Sequence, residues 1–347
     1  AANWTDAARP ATPPPTTMLR IEFARRCGQM TFRTLEGGVS TRSGVSELPH
    51  DRSSMLWSEA GPSAILTESM DRWVGSMLAD EHGGGGGPET LVEAELIVKS
   101  SGILCGNYAA DRLLELHFPA CSVRWFLGEG QEVIPGVCVA VVRGPASSLL
   151  RLERILLNLI GRLSGIATNA SQWCLAAGSL GVAATRKSAW GLLDKWAVHI
   201  GGGLTHRLDR GDALMLKEND IAAMSEDGEN SPDAISRIVS GLPSESDSFT
   251  TVEVRNGDEA MAAAKAWGQR EGRLVLMLDN MGPSVAGEVV SLLVDEGLRE
   301  NCVLEGSGGV TIESLSKWAE SGIDVVSSSR LNLGVSPLDL SMLVRGR

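Results

Sequence analysis

The chain has 347 residues, 31 basic against 43 acidic, for a formal charge of −12. That balance argues against nucleic acid or an anionic membrane as partner, and no apolar run reaches the roughly 18 residues of a membrane-spanning helix. Six cysteines without a CxxC pair or a Cys/His ligand spacing fit a reducing compartment and speak against a structural zinc site.

In chain order, residues 1–17 are rich in Pro, Ala and Thr and read as a disordered leader. Arg20, Arg25, Arg26, Arg33 and Arg42 against Glu22 and Glu36 have the composition of an organelle-transit segment, although an ordinary surface extension is the plainer reading. The expected compartment is therefore the cytoplasm, with organelle targeting as the alternative. Helical spacing covers 62–79, and the glycine run Gly83 to Gly87 reads as a tether. Leu91 to Lys99 alternates like a strand, and Asn107 to His117 has helical spacing. Strands follow near Val123–Phe126 and Val137–Val142, with a turn at Pro135-Gly136, which makes an α+β module. Ser148 to Gly178 is a long helix with Leu149, Leu152, Leu156, Leu159 and Leu163 on one face. Beyond it, apolar strands at 181–185, 212–216, 250–254, 274–278, 302–305 and 323–327 alternate with helices. That rhythm predicts repeated βα units and an incomplete parallel barrel. No glycine fingerprint follows the first strand, which weakens the open-sheet alternative.

What ends each strand carries the chemistry. In order stand Thr185-Arg186-Lys187, Lys217-Glu218-Asn219, Glu253, Asp279-Asn280, Ser307-Gly308-Gly309 and Ser327-Ser328-Ser329. One charged residue after a strand is ordinarily a solvated loop residue, and His206 alone reads as a satisfied structural histidine. Polar groups at successive carboxyl ends instead read as the catalytic face of a barrel. Arg186, Lys187, His206, Arg207 and Lys217 concentrate positive charge in an acidic chain, which suits a polyanionic substrate. Glu253 and Asp279 could hold Mg²⁺ or sugar hydroxyls, or simply neutralise local cations. Gly308 and Gly309 before a helix can cradle phosphate, though glycines also serve ordinary turns. These residues by themselves describe a barrel that binds a phosphorylated, multiply anionic ligand.

From about 90 to 345 the chain resembles the quinolinate phosphoribosyltransferases. The resemblance runs through Arg143-Gly144-Pro145, Glu153-Arg154…Asn158, Leu163-Ser164-Gly165-Ile166-Ala167-Thr168, Thr185-Arg186-Lys187, Gly201-Gly202-Gly203…His206-Arg207, Lys217…Asn219, Val252-Glu253-Val254, Leu278-Asp279-Asn280 and Ser307-Gly308-Gly309. It implies an α/β fold in which an incomplete parallel α/β barrel over 151–330 follows an α/β-sandwich domain over 51–150. Residues 1–50 would be an atypical leader, and the tail 331–347 would pack with the sandwich. It further implies a homodimer that joins quinolinate and phosphoribosyl pyrophosphate with the help of Mg²⁺. Arg186, His206, Arg207 and Lys217 would meet the quinolinate carboxylates, with Arg154 reaching over from the partner subunit. Lys187, Glu253 and Asp279 would serve the phosphoribosyl pyrophosphate and its metal, and Ser307, Gly308, Gly309, Ser328 and Ser329 its phosphate.

Departures from the family pattern bear on the substrate more than the fold. Ser188, Ala189, Trp190 and Leu193 replace a Thr-Pro and a following Arg, and Asp220 stands where a His is usual. Ser329 replaces a Gly, and the N-terminal acidic motif is reduced to Asp80-Glu81-His82 and glycines. The alternative is a paralogue with another substrate, such as the molybdenum-operon relatives, or with a non-catalytic binding role. Lys217 and Asn219 speak against the former, and the retention of Lys187, Glu253 and Asp279 against the latter.

Overall fold

The structure, a computed structural model, describes residues 48–81, 87–243, 249–268 and 270–345. The expected leader over 1–47, His82 and most of the glycine tether (Gly83 to Gly86) lie outside the described residues. β1 (Trp57–Ser58) and β2 (Gly61–Pro62) form a hairpin ahead of α1 (Ala64–Asp80). The Ser63 hydroxyl caps α1 by accepting from the Leu66 amide, and Leu66, Met70 and Val74 form its buried stripe. Next come β3 (Leu91–Val98), β4 (Gly102–Ile103), α2 (Asn107–His117), β5 (Ser122–Trp125), β6 (Glu132–Val133) and β7 (Cys138–Pro145). In β3 the alternate residues Ala94, Leu96 and Val98 are buried, as the two-residue period of a half-covered sheet requires.

α3 (Ala146–Ala177) has 32 residues and buries the expected leucines together with Ile155, Ile160 and Ile166. Its middle is where the rest of the chain docks. The Ser164 hydroxyl accepts from the Cys105 amide and donates to the Cys105 carbonyl, and the Thr168 hydroxyl accepts from the Ile103 amide. A Cβ on Gly165 would collide with the Ser336 carbonyl oxygen, so only glycine lets the C-terminal tail cross the helix there.

The second half runs β8 (Gly181–Ala183), α4 (Leu192–Ile200), β9 (Leu214–Leu216), α5 (Glu218–Met224), α6 (Ser231–Ser240), β10 (Thr250–Val254), α7 (Gly257–Trp267), β11 (Leu274–Asp279), α8 (Gly282–Asp295), β12 (Cys302–Ser307), α9 (Leu315–Glu320) and β13 (Val325–Ser327). Six parallel strands lie in the order β8-β13-β12-β11-β10-β9. Leu204 bridges Ala183 and carries the curl one position past β8. Among the described residues no pairing joins Leu204 to β9, so the barrel is incomplete, as expected. The last strand, β14 (Leu340–Val344), pairs antiparallel with β3 and extends the N-terminal sheet to β14-β3-β7-β5. Among the described residues no helix is long and apolar enough to cross a membrane.

Three local expectations are corrected. β9 and β13 start at 214 and 325 rather than 212 and 323. The reason is that the Asp212 carboxylate turns to Arg52 and the Leu208 amide, and the Asp324 carboxylate to Arg299 and the Leu304 amide. The helix expected over 312–321 opens as a 3-10 turn, Ile312–Ser314, capped by Thr311, and becomes α-helical only at α9. Residues 48–50 are no leader. Leu48 packs with Ala183, Leu204, Ala213, Phe249, Val275, Val303 and Val325, and His50 is fully buried. Arg52 fixes this segment across the open seam, its amide donating to Thr205 Oγ1 at 2.8 Å and its guanidinium to Asp212 at 2.7 Å. An incomplete barrel leaves its interior uncovered along the seam, and these residues cover it.

Candidate active site

Side chains two apart on a strand share a face, so the barrel interior can be followed outward along each strand from its floor. Ala213, Val275, Val303 and Val325 make the apolar floor. Two residues further along stand Met277, Glu305 and Ser327, and two further still Lys217, Asp279 and Ser307, with Glu253 in register with Met277. The polarity of the interior thus rises toward the carboxyl ends of the strands.

The cations gather on one side. Arg186 and Lys187 are exposed after β8, and among the described residues neither makes an ion pair. Arg207 is buried, its Nη1 donating to the Ala213 carbonyl at 3.0 Å. Burial first, then Arg186 and Arg210, hold Arg207 below its ordinary value. Lys195 was not anticipated from sequence. It is buried on α4, its Nζ donating to the Thr205 carbonyl at 2.6 Å. Burial, followed by repulsion from Arg186, brings it down to about 7. Arg186, Lys195 and Arg207 therefore share one under-compensated positive field.

Asp194, its neighbour on α4, was missed as well. Its buried carboxylate accepts from Arg162 at 2.9 Å, from the Ala189 amide at 2.9 Å and from Asn332 Nδ2 at 3.1 Å, and so shapes the loop behind Arg186 and Lys187. Asp-Lys inside the Leu192–Ile200 helix, whose only other polar side chain is His199, is the sequence signal that could have found both residues.

On the opposite side Lys217 Nζ meets Glu253 Oε2 at 2.6 Å. Asp279 Oδ1 accepts from Ser307 Oγ at 3.0 Å and Oδ2 from Asn280 Nδ2 at 2.6 Å. Gly308 has φ +83°, and a Cβ there would collide with the Asn280 side chain. Gly309, at φ +62°, has open space where its Cβ would be. Ser328 turns inward, its amide donating to the Ala183 carbonyl and its hydroxyl to the Val310 carbonyl, while Ser329 is half-buried. Asp220 does not replace a ligand in the open pocket. Its carboxylate accepts from the Lys217 amide at 3.0 Å and caps α5, within the field of Arg207. Trp190 carries the Arg162 guanidinium over its ring at 4.9 Å.

Beneath the cations lies a buried network. Glu305 Oε2 faces His50 Nε2 at 2.9 Å, and Oε1 faces His206 Nε2 at 3.2 Å and also accepts from Ser327 Oγ. Burial alone would raise the Glu305 carboxyl, but the surrounding His206 and His50 hold it below its ordinary value. His206 Nδ1 accepts from the Arg207 amide at 2.7 Å, so its proton sits on Nε2. Burial, opposed by Glu305, holds that ring below its ordinary value. The ligand atoms of His50, His206 and Glu305 lie within 4.8 Å of one another, the spacing of a metal cluster, but both Nε2 atoms already face Glu305 oxygens. Glu305 was legible in principle, two residues before Ser307 on the inward face. His50 was not.

Arg154 lies on the exposed side of α3 and its side chain makes no hydrogen bond or ion pair among the described residues, so this chain alone does not bring it to the cluster.

The family model described as quinolinate phosphoribosyl transferase, C-terminal domain, matches residues 166–343, and that of the N-terminal domain matches 68–164. A probable nicotinate-nucleotide pyrophosphorylase [carboxylating] of Methanothermobacter thermautotrophicus is 34% identical over 266 residues, 74% of this chain and 90% of that protein. The chloroplastic nicotinate-nucleotide pyrophosphorylase [carboxylating] of Oryza sativa is 31% identical over 97% of this chain and 95% of its own length. Among solved structures, the nicotinate-nucleotide pyrophosphorylase of Francisella tularensis superposes with a TM-score of 0.70 at 26% identity, covering 80% of this chain and 97% of that one.

Proposed function

The chain belongs to the quinolinate phosphoribosyltransferase family, and on that premise we propose that it transfers phosphoribosyl from phosphoribosyl pyrophosphate to quinolinate, releasing pyrophosphate and CO₂ and leaving nicotinate mononucleotide. The observation that carries this reading is the arrangement of charge: an under-compensated Arg186–Lys195–Arg207 field, with carboxylates on β10 and β11 and a glycine turn after β12 at the carboxyl ends of the same parallel sheet. A dicarboxylate suits the first, and a phosphorylated sugar the second.

Arg186, Arg207 and Lys217 bind the quinolinate carboxylates, Arg207 offering the guanidinium nitrogens not used by Ala213. Lys187 meets the pyrophosphate, and the backbone of Gly308 and Gly309, with Ser328 and Ser329, receives the 5′-phosphate. Glu253 and Asp279 supply hard carboxylate oxygens on adjacent strands, a donor set that fits Mg²⁺. When bound, Mg²⁺ neutralises charge developing on the departing pyrophosphate. The pyridine nitrogen then attacks the electron-poor ribose C1′ from the position its carboxylates fix. Once that nitrogen is quaternary, the ring draws electrons from the adjacent carbon–carboxylate bond and CO₂ leaves, that bond's electron pair staying on the ring carbon as an ylide. That carbon takes up a proton from water to give nicotinate mononucleotide. No covalent enzyme intermediate is needed; positioning and fixed charge do the work. The chain acts as a homodimer in which Arg154 of each copy completes the other's site. Its unpartnered guanidinium on an exposed helix face supports this.

The test is turnover with phosphoribosyl pyrophosphate and, in parallel, quinolinate, nicotinate or nicotinamide, following pyrophosphate and CO₂. Preference for quinolinate with stoichiometric CO₂ is expected. Equal or better use of nicotinate refutes the reading.

A further inference from the structure

We propose that His50 is a positioning residue of this site, acting on Arg207 through Glu305 and His206. The proposal deepens the reading above and rests on it for the identity of the substrate that Arg207 meets.

Glu305 is fully buried, and its two oxygens are divided: Oε2 to His50, Oε1 to His206 and Ser327. Among the described residues His50 is the sole partner of Oε2. A buried carboxylate with one oxygen unpaired is costly and turns toward whatever donors remain. With His50 in place, Oε1 is left to orient His206. That matters because both His206 nitrogens are committed: Nε2–H to Glu305, and Nδ1 as acceptor for the Arg207 amide. His206 also holds φ 54°, a left-handed conformation that a non-glycine residue keeps only when its surroundings over-determine it. The residue that follows is Arg207, so the ring and backbone of His206 set where that guanidinium starts.

His50 is held in place to do this. Leu48 anchors one end of its segment in the barrel floor, and Arg52 pins the other to Thr205 and Asp212. The His50 carbonyl accepts from the Thr205 hydroxyl at 3.2 Å, and its ring packs against Phe249 and edge-on to His206, with centroids 5.4 and 4.9 Å apart.

The experiment uses the full chain with His50→Ala, His50→Phe and His50→Gln. Phe fills the space without a donor, and Gln restores an N–H donor. For the Ala and Phe variants the KM for quinolinate is expected to rise about ten- to a hundredfold, the range for losing a hydrogen bond to a charged group, with the KM for phosphoribosyl pyrophosphate within about threefold. His50→Gln should return the quinolinate KM to near the original value. Nitrogen-15 NMR of the histidines reads the geometry without turnover. His206 Nδ1 should sit in the unprotonated range in the unaltered chain and in His50→Gln, and mix tautomers in His50→Phe. Unchanged KM values in a folded His50→Phe protein, or an equal rise for both substrates, overturn the proposal. If the Ala and Phe variants do not fold, His50→Gln decides, and a quinolinate KM raised about tenfold in the folded protein overturns it. Should the unaltered chain not use quinolinate at all, the functional reading fails by itself. The tautomer readout then judges the proposal, and an unshifted His206 in His50→Phe refutes it.

Discussion

Quinolinate binding should fade as the solution turns alkaline, and Lys195 should be the cause. Its ammonium, bonded to the Thr205 carbonyl beside Arg186 and Arg207, has been brought from 10.5 down to about 7, by burial first and then by Arg186. A bound dicarboxylate adds negative charge to the same field and favours the protonated lysine, so the complex holds the proton to higher pH than the free protein. Between those two pKa values binding takes up a proton, and each pH unit weakens affinity by up to about tenfold, or 1.4 kcal/mol. The carboxyl groups of quinolinate stay ionised throughout, so the ligand adds no slope. Calorimetric titration from about pH 6 to 9, in two buffers of different ionisation heat, reads both the affinity and the proton uptake. Lys195→Met should flatten the profile and abolish the uptake. Constant affinity above pH 7 with no proton uptake in the unaltered protein would refute the reasoning. For folding the sign is reversed. The native state releases this proton before the unfolded chain does, so the contribution of Lys195 to stability grows between about 7 and 10.5.

Arg186→Ala should raise the KM for quinolinate and cost about 2–5 kcal/mol in kcat/KM, as for one lost partner of a desolvated charge; an unchanged KM would show that Arg186 does not face the substrate. Asp279→Asn should impair use of phosphoribosyl pyrophosphate and Mg²⁺ while leaving quinolinate affinity of the free protein within a few fold, as read by calorimetry; selective loss of quinolinate affinity would reverse the assignment. Gly308→Ala forces a Cβ into Asn280 at φ +83° and should cost about 2 kcal/mol or more of stability in denaturant titration, along with phosphoribosyl pyrophosphate turnover. Arg154→Ala and Lys187→Ala should each be nearly inactive alone and recover about a quarter of full activity after subunit exchange, since half the dimers then carry one intact site. Exchange without recovery would place Arg154 outside the neighbour's site.

How much of this was legible beforehand follows from what kind of signal each residue leaves. The barrel strands announced themselves because their short apolar runs are buried on both faces, as in Leu274–Asp279 and Cys302–Ser307. Residues at their carboxyl ends could be read in order for the same reason. The α2 boundaries, Asn107–His117, were those of the periodic pattern. Lys195 and Asp194 were overlooked because a charged residue inside an apolar helix looks like an interruption until the fold shows what it touches. Asp220 was legible only as an Asp where a His is usual, and only the backbone at α5 shows that it is a cap. His50 left no local trace at all, because its partners come from the far end of the chain.

That distance carries a consequence for how the protein is made. His50 and Glu305 are 255 residues apart, and β3 finds its outer neighbour only when β14 arrives at the end of the chain. At a synthesis rate of about 5–20 residues per second, the first of these partners waits roughly 10 to 50 seconds for the second. Until β14 emerges β3 presents an unpaired edge, and until the later barrel strands emerge the Leu48–Arg52 segment has no complete seam to enter. Pairings this distant in sequence predict slow refolding from denaturant and a concentration-dependent loss to aggregation, which a chaperone that shields nascent strand edges should relieve.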